Sequence, residues 1–162
     1  MAVTFFFLKK NISLAKRKQL KAQLAALFKN EGRQLKNLNY IFCSDEYLLK
    51  VNQTHLRHNY YTDIITFDLS ENQQETEGEI YISTDRVREN AQKLKITIKE
   101  EVHRVVFHGA LHLCGYKDKT QSDKAKMRSK ENQYLEQYFT RFHVKPPTIA
   151  PRGTNKIPRE GF

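Results

Sequence analysis

Tryptophan is absent from this sequence, and residues that cross-link or interrupt a chain are scarce. The 162 residues include 2 cysteines, 4 prolines and 6 glycines. Two cysteines, Cys43 and Cys114, exclude a disulfide framework, and we expect buried thiols that behave as small hydrophobic side chains. There is no run of about 18 or more apolar residues, and the apolar run near the N-terminus is too short for a signal peptide. These absences predict a cytoplasmic protein without a membrane partner.

Acidic residues are clearly outnumbered by basic ones. Lys and Arg total 28 against 18 Asp and Glu, which gives a formal net charge of +10. This balance excludes acidic and collagen-like classes and favours a polyanionic partner, either nucleic acid or an anionic surface. A solvated basic face that aids solubility explains the same charge. Composition alone therefore leaves both interpretations open.

The prolines are confined to the end of the chain. All four follow residue 145, in a basic segment without apolar periodicity. We therefore expect one domain at residues 1–143 and a proline-rich basic tail at residues 144–162 that is mobile or loosely docked.

Periodicity and capping residues predict an α+β domain with a mixed four-stranded sheet packed with about five helices. Strands are expected at residues 2–8, 38–43, 64–69 and 79–83. The third is expected to be a buried central strand, joined to the fourth in a hairpin. Ser13, Ser44 and Thr97 are the predicted N-caps of helices, and Gly115 is the predicted end of the helix that begins after Thr97. Further helices are expected at residues 84–94 and from about 120 to 139.

Two histidines lie one turn apart on the helix that Thr97 begins. His108 and His112 are separated by about 40° around the helix axis, so both imidazoles point the same way. This spacing suits two ligands of one tetrahedral metal ion, and we expect the metal site to lie on this central, largely buried helix. Gly115 lets the chain turn sharply, and Asp118 can then approach the histidines as a third ligand. Three such ligands leave a fourth position for water, although a bare histidine pair also fits a hydrogen-bonded core edge.

The residues of this helix end carry a resemblance to a known family. HGALHLCGYKD, residues 108–118, resembles the H-G-x-L-H-L-x-G-Y-D-H signature of the YbeY family of endoribonucleases. TDIITF at residues 62–67 and GEIYIS at residues 78–83 resemble its T-D-V-L-S-F and G-D-I-x-I-S segments. The resemblance covers about residues 1–140 and implies a bacterial rRNA-maturation factor that binds one zinc ion per chain.

The resemblance also implies roles for individual residues. His108, His112 and Asp118 match the three metal ligands, although the family usually has histidine where Asp118 stands. Leu56 stands where the family has a catalytic arginine, so its neighbour Arg57 is the candidate for that role. Candidate contacts to RNA phosphates are the basic residues that flank the proposed site, Lys117, Lys119, Lys124 and Arg128. An ordinary solvated helix face explains these four residues equally well.

The function that the resemblance implies is zinc-dependent, single-strand-specific endoribonuclease activity in rRNA maturation. This includes 16S rRNA 3′ end processing, ribosome assembly and quality control. Expected partners are rRNA and the small ribosomal subunit, with ribosomal proteins or an assembly GTPase in addition. One alternative is a non-catalytic ribosome-assembly factor with a structural metal. Another is a metalloprotease-like hydrolase, because metzincin proteases share this ligand spacing. Those proteases need glutamate directly after the first histidine, where this sequence has Gly109.

Overall fold

The fold is an α+β domain, as predicted, with four strands and five helices in the residues that the structure describes. The computed structural model describes residues 2–141, so the tail predicted at residues 144–162 lies outside the described residues. The elements in chain order are β1 (Ala2–Phe7), α1 (Arg17–Asn30), β2 (Gln34–Cys43), α2 (Asp45–Leu56), β3 (Ile64–Asp68), β4 (Glu75–Ser83), α3 (Thr84–Leu94), α4 (Ile98–Leu113) and α5 (Gln121–Arg141).

The strands form one mixed sheet in the order β1-β2-β4-β3. β1, β2 and β4 are parallel, and β3 pairs antiparallel with β4, which confirms the predicted hairpin. β3 is an edge strand, so its prediction as a central strand was wrong. The error has a physical cause, since Ile64 and Ile65 are each 1% exposed on opposite faces of the sheet. Ile64 belongs to the main core and Ile65 to a smaller cluster with α2 residues, so the strand has the apolar character of a central one.

The helix starts were predicted well where a side chain caps the helix. The side-chain oxygens of Ser44 and Thr97 accept hydrogen bonds from the backbone N–H groups of Tyr47 (3.1 Å) and Glu100 (3.0 Å). Ser13 was the wrong cap for α1, which begins four residues later at Arg17 without a side-chain cap bond. Residues 11–15 are not helical, and in this segment Ile12 and Leu14 are both buried in the core while Ser13 between them is exposed.

The α4 helix lies in the centre of the domain. It packs against the sheet on one side and against α3 and α5 on others, and most of its residues are buried. Gly109 permits the close contact with the sheet, because a Cβ at this position would lie 2.9 Å from Ile80 side-chain atoms. Cys43 is buried, as predicted, whereas Cys114 is only partly buried. Burial raises the pKa of both thiols to about 12, so neither is a reactive thiolate.

Candidate metal centre

The last turn of α4 brings two imidazole nitrogens together. His108 is buried and His112 is partly buried, and their Nε2 atoms are 3.0 Å apart. The rings meet edge to face, with 4.6 Å between centroids. The i, i+4 spacing therefore produces the convergence that the sequence predicts.

Gly115 ends α4 and turns the chain back towards the histidines. Its φ of 99° lies in the range that disfavours any side chain. Its N–H donates to the His112 carbonyl (3.0 Å), and the Tyr116 N–H donates to the Leu111 carbonyl (3.1 Å), which together form a Schellman motif. Asp118 then places Oδ2 3.3 Å from His108 Nε2 and 3.5 Å from His112 Nε2.

The opposite nitrogen of each ring is held by a hydrogen bond. His112 Nδ1 lies 2.9 Å from the Tyr116 carbonyl, and His108 Nδ1 lies 2.8 Å from Glu131 Oε2. A carbonyl or carboxylate oxygen only accepts, so both Nδ1 atoms carry the hydrogen. In the neutral rings the Nε2 lone pairs therefore face each other and Asp118. Outer partners of this kind are typical of metal-binding histidines.

These three groups fit a divalent metal ion. Two lone pairs and a carboxylate at this separation repel one another unless a cation lies between them. Zinc bonds of about 2.0–2.2 Å place tetrahedral ligand atoms about 3.3–3.6 Å apart, which is close to the separations found here. Within residues 2–141, His108, His112 and Asp118 are the group of potential ligands that could hold a metal ion, and we refer to them as the metal-binding group.

The carboxyl group of Asp118 is held in its charged state. Burial raises its pKa, but when His108 and His112 are protonated at Nε2, their N–H groups donate to Asp118 and their positive charge outweighs burial. The net result is a pKa well below the usual range. Asp118 is therefore a carboxylate, which is the form that binds a metal ion.

Glu131 of α5 is a functional candidate that sequence reasoning missed. Its second oxygen, Oε1, accepts a hydrogen bond from Arg104 Nη1 at 3.2 Å, and Arg104 also donates to Asn132 Oδ1 at 2.9 Å. Arg104 is fully buried and Glu131 is 2% exposed, so the pair lies in the domain interior. The sequence feature that could have identified Glu131 is its position on the buried face of α5, where Met127 and Leu135 are its neighbours one turn away.

A second group of contacts supports the loop that carries Asp118. Glu31, just after α1, accepts hydrogen bonds from the hydroxyls of Tyr116 (2.7 Å) and Tyr134, and Lys130 Nζ lies 3.4 Å from it. We call Glu31, Tyr116, Lys130 and Tyr134 the Glu31 cluster. Burial raises the pKa of Glu31, but these hydroxyls and the lysine lower it on balance, so its carboxylate stays charged.

Arg33 supports the same end of α4 from the turn that follows Glu31. Its Nη2 donates to the Cys114 carbonyl at 3.2 Å, at the C-terminal end of the helix. The turn between α1 and β2 therefore contacts α4 and the Asp118 loop at two points.

A cleft of about 520 Å³ opens beside the metal-binding group. It is lined by residues at the end of α4 and in the loop after it, and by residues of α2, β3 and the segment between them. The first set is His112, Gly115, Tyr116, Lys117 and Lys119, and the second is Asn52, Leu56, His58, Tyr60, Thr62 and Ile65. The structure thus places two of the four predicted RNA contacts, Lys117 and Lys119, at the cleft. The other two, Lys124 and Arg128, lie on α5 outside its lining.

Arg57, the candidate catalytic residue, is placed differently. It is exposed and forms the C-cap of α2 in the left-handed conformation, with a φ of 55°. Leu56, the residue before it, lines the cleft, whereas Arg57 is not among the lining residues.

Comparison with known proteins identifies similar chains over nearly the whole domain. The family described as Endoribonuclease YbeY matches residues 7–139. The Endoribonuclease YbeY of Cytophaga hutchinsonii is 52% identical over 82% of this chain and 94% of its own length. That of Flavobacterium psychrophilum is 48% identical over 75% of this chain and 84% of its own length. The solution structure of TM1509 from Thermotoga maritima aligns with a TM-score of 0.60 and 27% identity, covering 90% of this chain and 94% of that one. No helix within residues 2–141 is long and apolar enough to cross a membrane.

Proposed function

The chain belongs to the YbeY family of endoribonucleases, and on this premise we propose that it is a zinc-dependent endoribonuclease specific for single-stranded RNA. The observation that carries the proposal is the convergence of His108, His112 and Asp118, whose ligand atoms lie 3.0–3.5 Å apart beside an open cleft. One zinc ion per chain is the proposed cofactor.

In this proposal each residue near the cleft has a defined task. His108, His112 and Asp118 hold the zinc ion, which supplies a Lewis acid for phosphodiester hydrolysis when bound. Glu131 and the Tyr116 carbonyl keep the two imidazole rings oriented towards it. Three protein ligands suit a catalytic site, because structural zinc sites usually have four.

Basic residues hold the RNA in this proposal. Lys117 and Lys119 line the cleft and attract the phosphates of the bound strand. Lys124 and Arg128 extend the basic surface along α5. Arg57 is proposed to stabilise negative charge that develops at the phosphate, since it directly follows the cleft-lining Leu56.

The proposed substrate is precursor rRNA of the small ribosomal subunit in the bacterial cytoplasm, with cleavage at the 16S rRNA 3′ end. The proposed roles include ribosome assembly and quality control, with ribosomal proteins or an assembly GTPase as partners. Family membership and the net charge of +10 support this assignment. The proline-rich tail at residues 144–162 is proposed to lie outside the catalytic domain of residues 1–143.

The packing of α4 argues against the peptidase alternative. A metzincin-like base would need glutamate at position 109, where even a Cβ would lie 2.9 Å from Ile80 and 3.0 Å from Ile64. The side chain at this position would point into the sheet and away from the cleft. The cleft itself argues against a purely structural metal, because it gives a substrate access to the His112 side of the metal-binding group.

The test compares wild type with His112→Ala and Asp118→Asn, purified without a histidine tag. We expect about one zinc per chain in wild type and loss of both zinc and cleavage of single-stranded RNA in His112→Ala. His55→Gln serves as the control, because His55 is an exposed histidine outside the cleft lining. Zinc-free wild-type protein that still cleaves RNA would contradict the mechanism. Normal rRNA processing by a folded, zinc-free Asp118→Asn variant would favour the non-catalytic assembly factor.

A further inference from the structure

An aromatic pair, His58 and Tyr60, lines the same cleft as His112. The rings of His58 and Tyr60 stack with 5.2 Å between centroids and 19° between planes. The Tyr60 hydroxyl also lies 3.1 Å from His58 Nδ1, which fixes the two rings relative to each other. The Tyr60 carbonyl accepts a hydrogen bond from Asn52 Nδ2 at 2.9 Å, and this bond anchors the segment to α2.

Tyr60 combines an exposed side chain with a place in the cleft lining. Its side chain and backbone are together 42% exposed, although the ring lines a cleft beside buried groups. Burying an aromatic ring is favourable, so a ring that stays exposed in a cleft is a candidate contact for a ligand. A ring supported on one side by His58 loses little conformational freedom when a second flat group stacks on it.

The side chains that line the cleft indicate which kind of flat group binds there. Lys117 and Lys119 line the same cleft and attract phosphates, whereas Leu56 and Ile65 contribute apolar side chains to its lining. A ligand with a flat aromatic part and a negatively charged backbone can contact both the apolar and the basic residues of the cleft. Proteins that bind single-stranded nucleic acids combine stacking aromatic rings with a basic groove in this way.

We propose that Tyr60, supported by His58, is the stacking platform for an unpaired base of the RNA strand bound next to the metal centre. The inference rests on the proposed function and deepens it by naming a subsite for the base. Such a platform requires an unpaired base, since a base in a duplex does not offer its face. It therefore gives a physical reason for selectivity towards single strands.

The neighbouring residue provides a matched control. Tyr61 is 39% exposed, nearly the same as Tyr60, but it is not among the residues that line the cleft. Its ring lies under the Arg86 guanidinium, with 5.1 Å from Cζ to the ring centroid. Removing either ring changes a similar amount of exposed aromatic surface, but only Tyr60 faces the proposed ligand.

The experiment measures binding of short single-stranded 2′-O-methyl RNA that carries one fluorescent 2-aminopurine base, with zinc-loaded protein. A second oligonucleotide has an abasic site at that position. We expect Tyr60→Leu to weaken binding of the first about tenfold, which corresponds to about 1.4 kcal/mol, and to leave the abasic strand nearly unaffected. Tyr60→Phe should bind within about twofold of wild type and quench the 2-aminopurine equally well. Tyr61→Leu should also bind like wild type.

The outcomes separate the subsite from the enzyme activity. The platform is overturned if Tyr60→Leu binds both strands like wild type, or weakens both equally, while wild type still cleaves RNA. Equal weakening by Tyr61→Leu would also overturn it, because stacking would then not be specific to the cleft. Failure of wild type to bind or cleave single-stranded RNA would contradict the proposed function as well. Thermal melting and zinc content of each variant show that these exposed substitutions leave the fold intact.

Discussion

Glu131 links the metal centre to a buried arginine, and its replacement by glutamine gives two separable effects. One oxygen of Glu131 lies 2.8 Å from His108 Nδ1, and the other accepts from Arg104 at 3.2 Å. Glu131→Gln keeps the shape of the side chain but removes its negative charge. The amide then has one oxygen acceptor where the carboxylate has two.

The expected magnitudes follow from these contacts. Loss of the partner of a ligating histidine typically lowers metal affinity about 10–100-fold, or about 1.4–2.7 kcal/mol. Removing one member of a buried ion pair destabilises a protein by about 3–5 kcal/mol. Because Arg104 keeps its hydrogen bond to Asn132 at 2.9 Å, we expect about 3 kcal/mol for Glu131→Gln.

The assay measures both quantities on the same preparation. Competition with a chromogenic chelator gives the zinc dissociation constant, and urea titration of metal-free protein gives the free energy of unfolding. Glu136→Gln is the control, because it removes the same charge from an exposed position of α5. Zinc affinity within twofold of wild type in Glu131→Gln would refute the reasoning, even if stability falls. The role of Glu131 would then be limited to neutralising the buried positive charge of Arg104.

Three further predictions concern stability and RNA binding. Burial lowers the pKa of His103 from 6.5 to about 4, so between these values the unfolded chain binds a proton that the folded chain does not. The free energy of unfolding should therefore fall by about 3 kcal/mol from pH 6.5 to pH 4. Urea titrations should show a much smaller fall for His103→Phe, and an equal fall in this variant would contradict the reasoning. Gly109→Ala should destabilise the protein by about 1–2 kcal/mol, because contact with Ile80 outweighs the gain in helix propensity, and a more stable variant would contradict this. Lys117→Ala and Lys119→Ala should each lower the slope of log affinity against log salt for single-stranded RNA by about 0.7, whereas an unchanged slope would exclude a phosphate contact.

Features that depend on a few neighbouring residues could be predicted from the sequence. Ser44 and Thr97 cap their helices as expected, because a cap needs only its own side chain and a backbone N–H three residues away. Gly115 and the histidine spacing likewise act within about two helical turns. Local rules were therefore enough to predict that His108, His112 and Asp118 lie close together.

Features that depend on distant packing could not be predicted in this way. The edge position of β3 is decided by which strands pair, and Ile64 and Ile65 are buried by helices on either face. Ser13 is a good cap by residue type, but Ile12 and Leu14 on either side of it are buried in the core, and no helix begins there. Glu131 lies 23 residues after His108, and only the packing of α5 against α4 brings the two together.

The contacts that support the Asp118 loop join distant parts of the chain. Arg33 and Cys114 are 81 residues apart, and Glu31 and Tyr116 are 85 apart. The histidine pair, in contrast, forms within one helix. If the proposed zinc site is correct, a partly folded chain would offer the ion two imidazoles but no ordered carboxylate until the turn after α1 has docked. Tight zinc uptake would then depend on completed tertiary structure, and metal loading would distinguish finished molecules from folding intermediates.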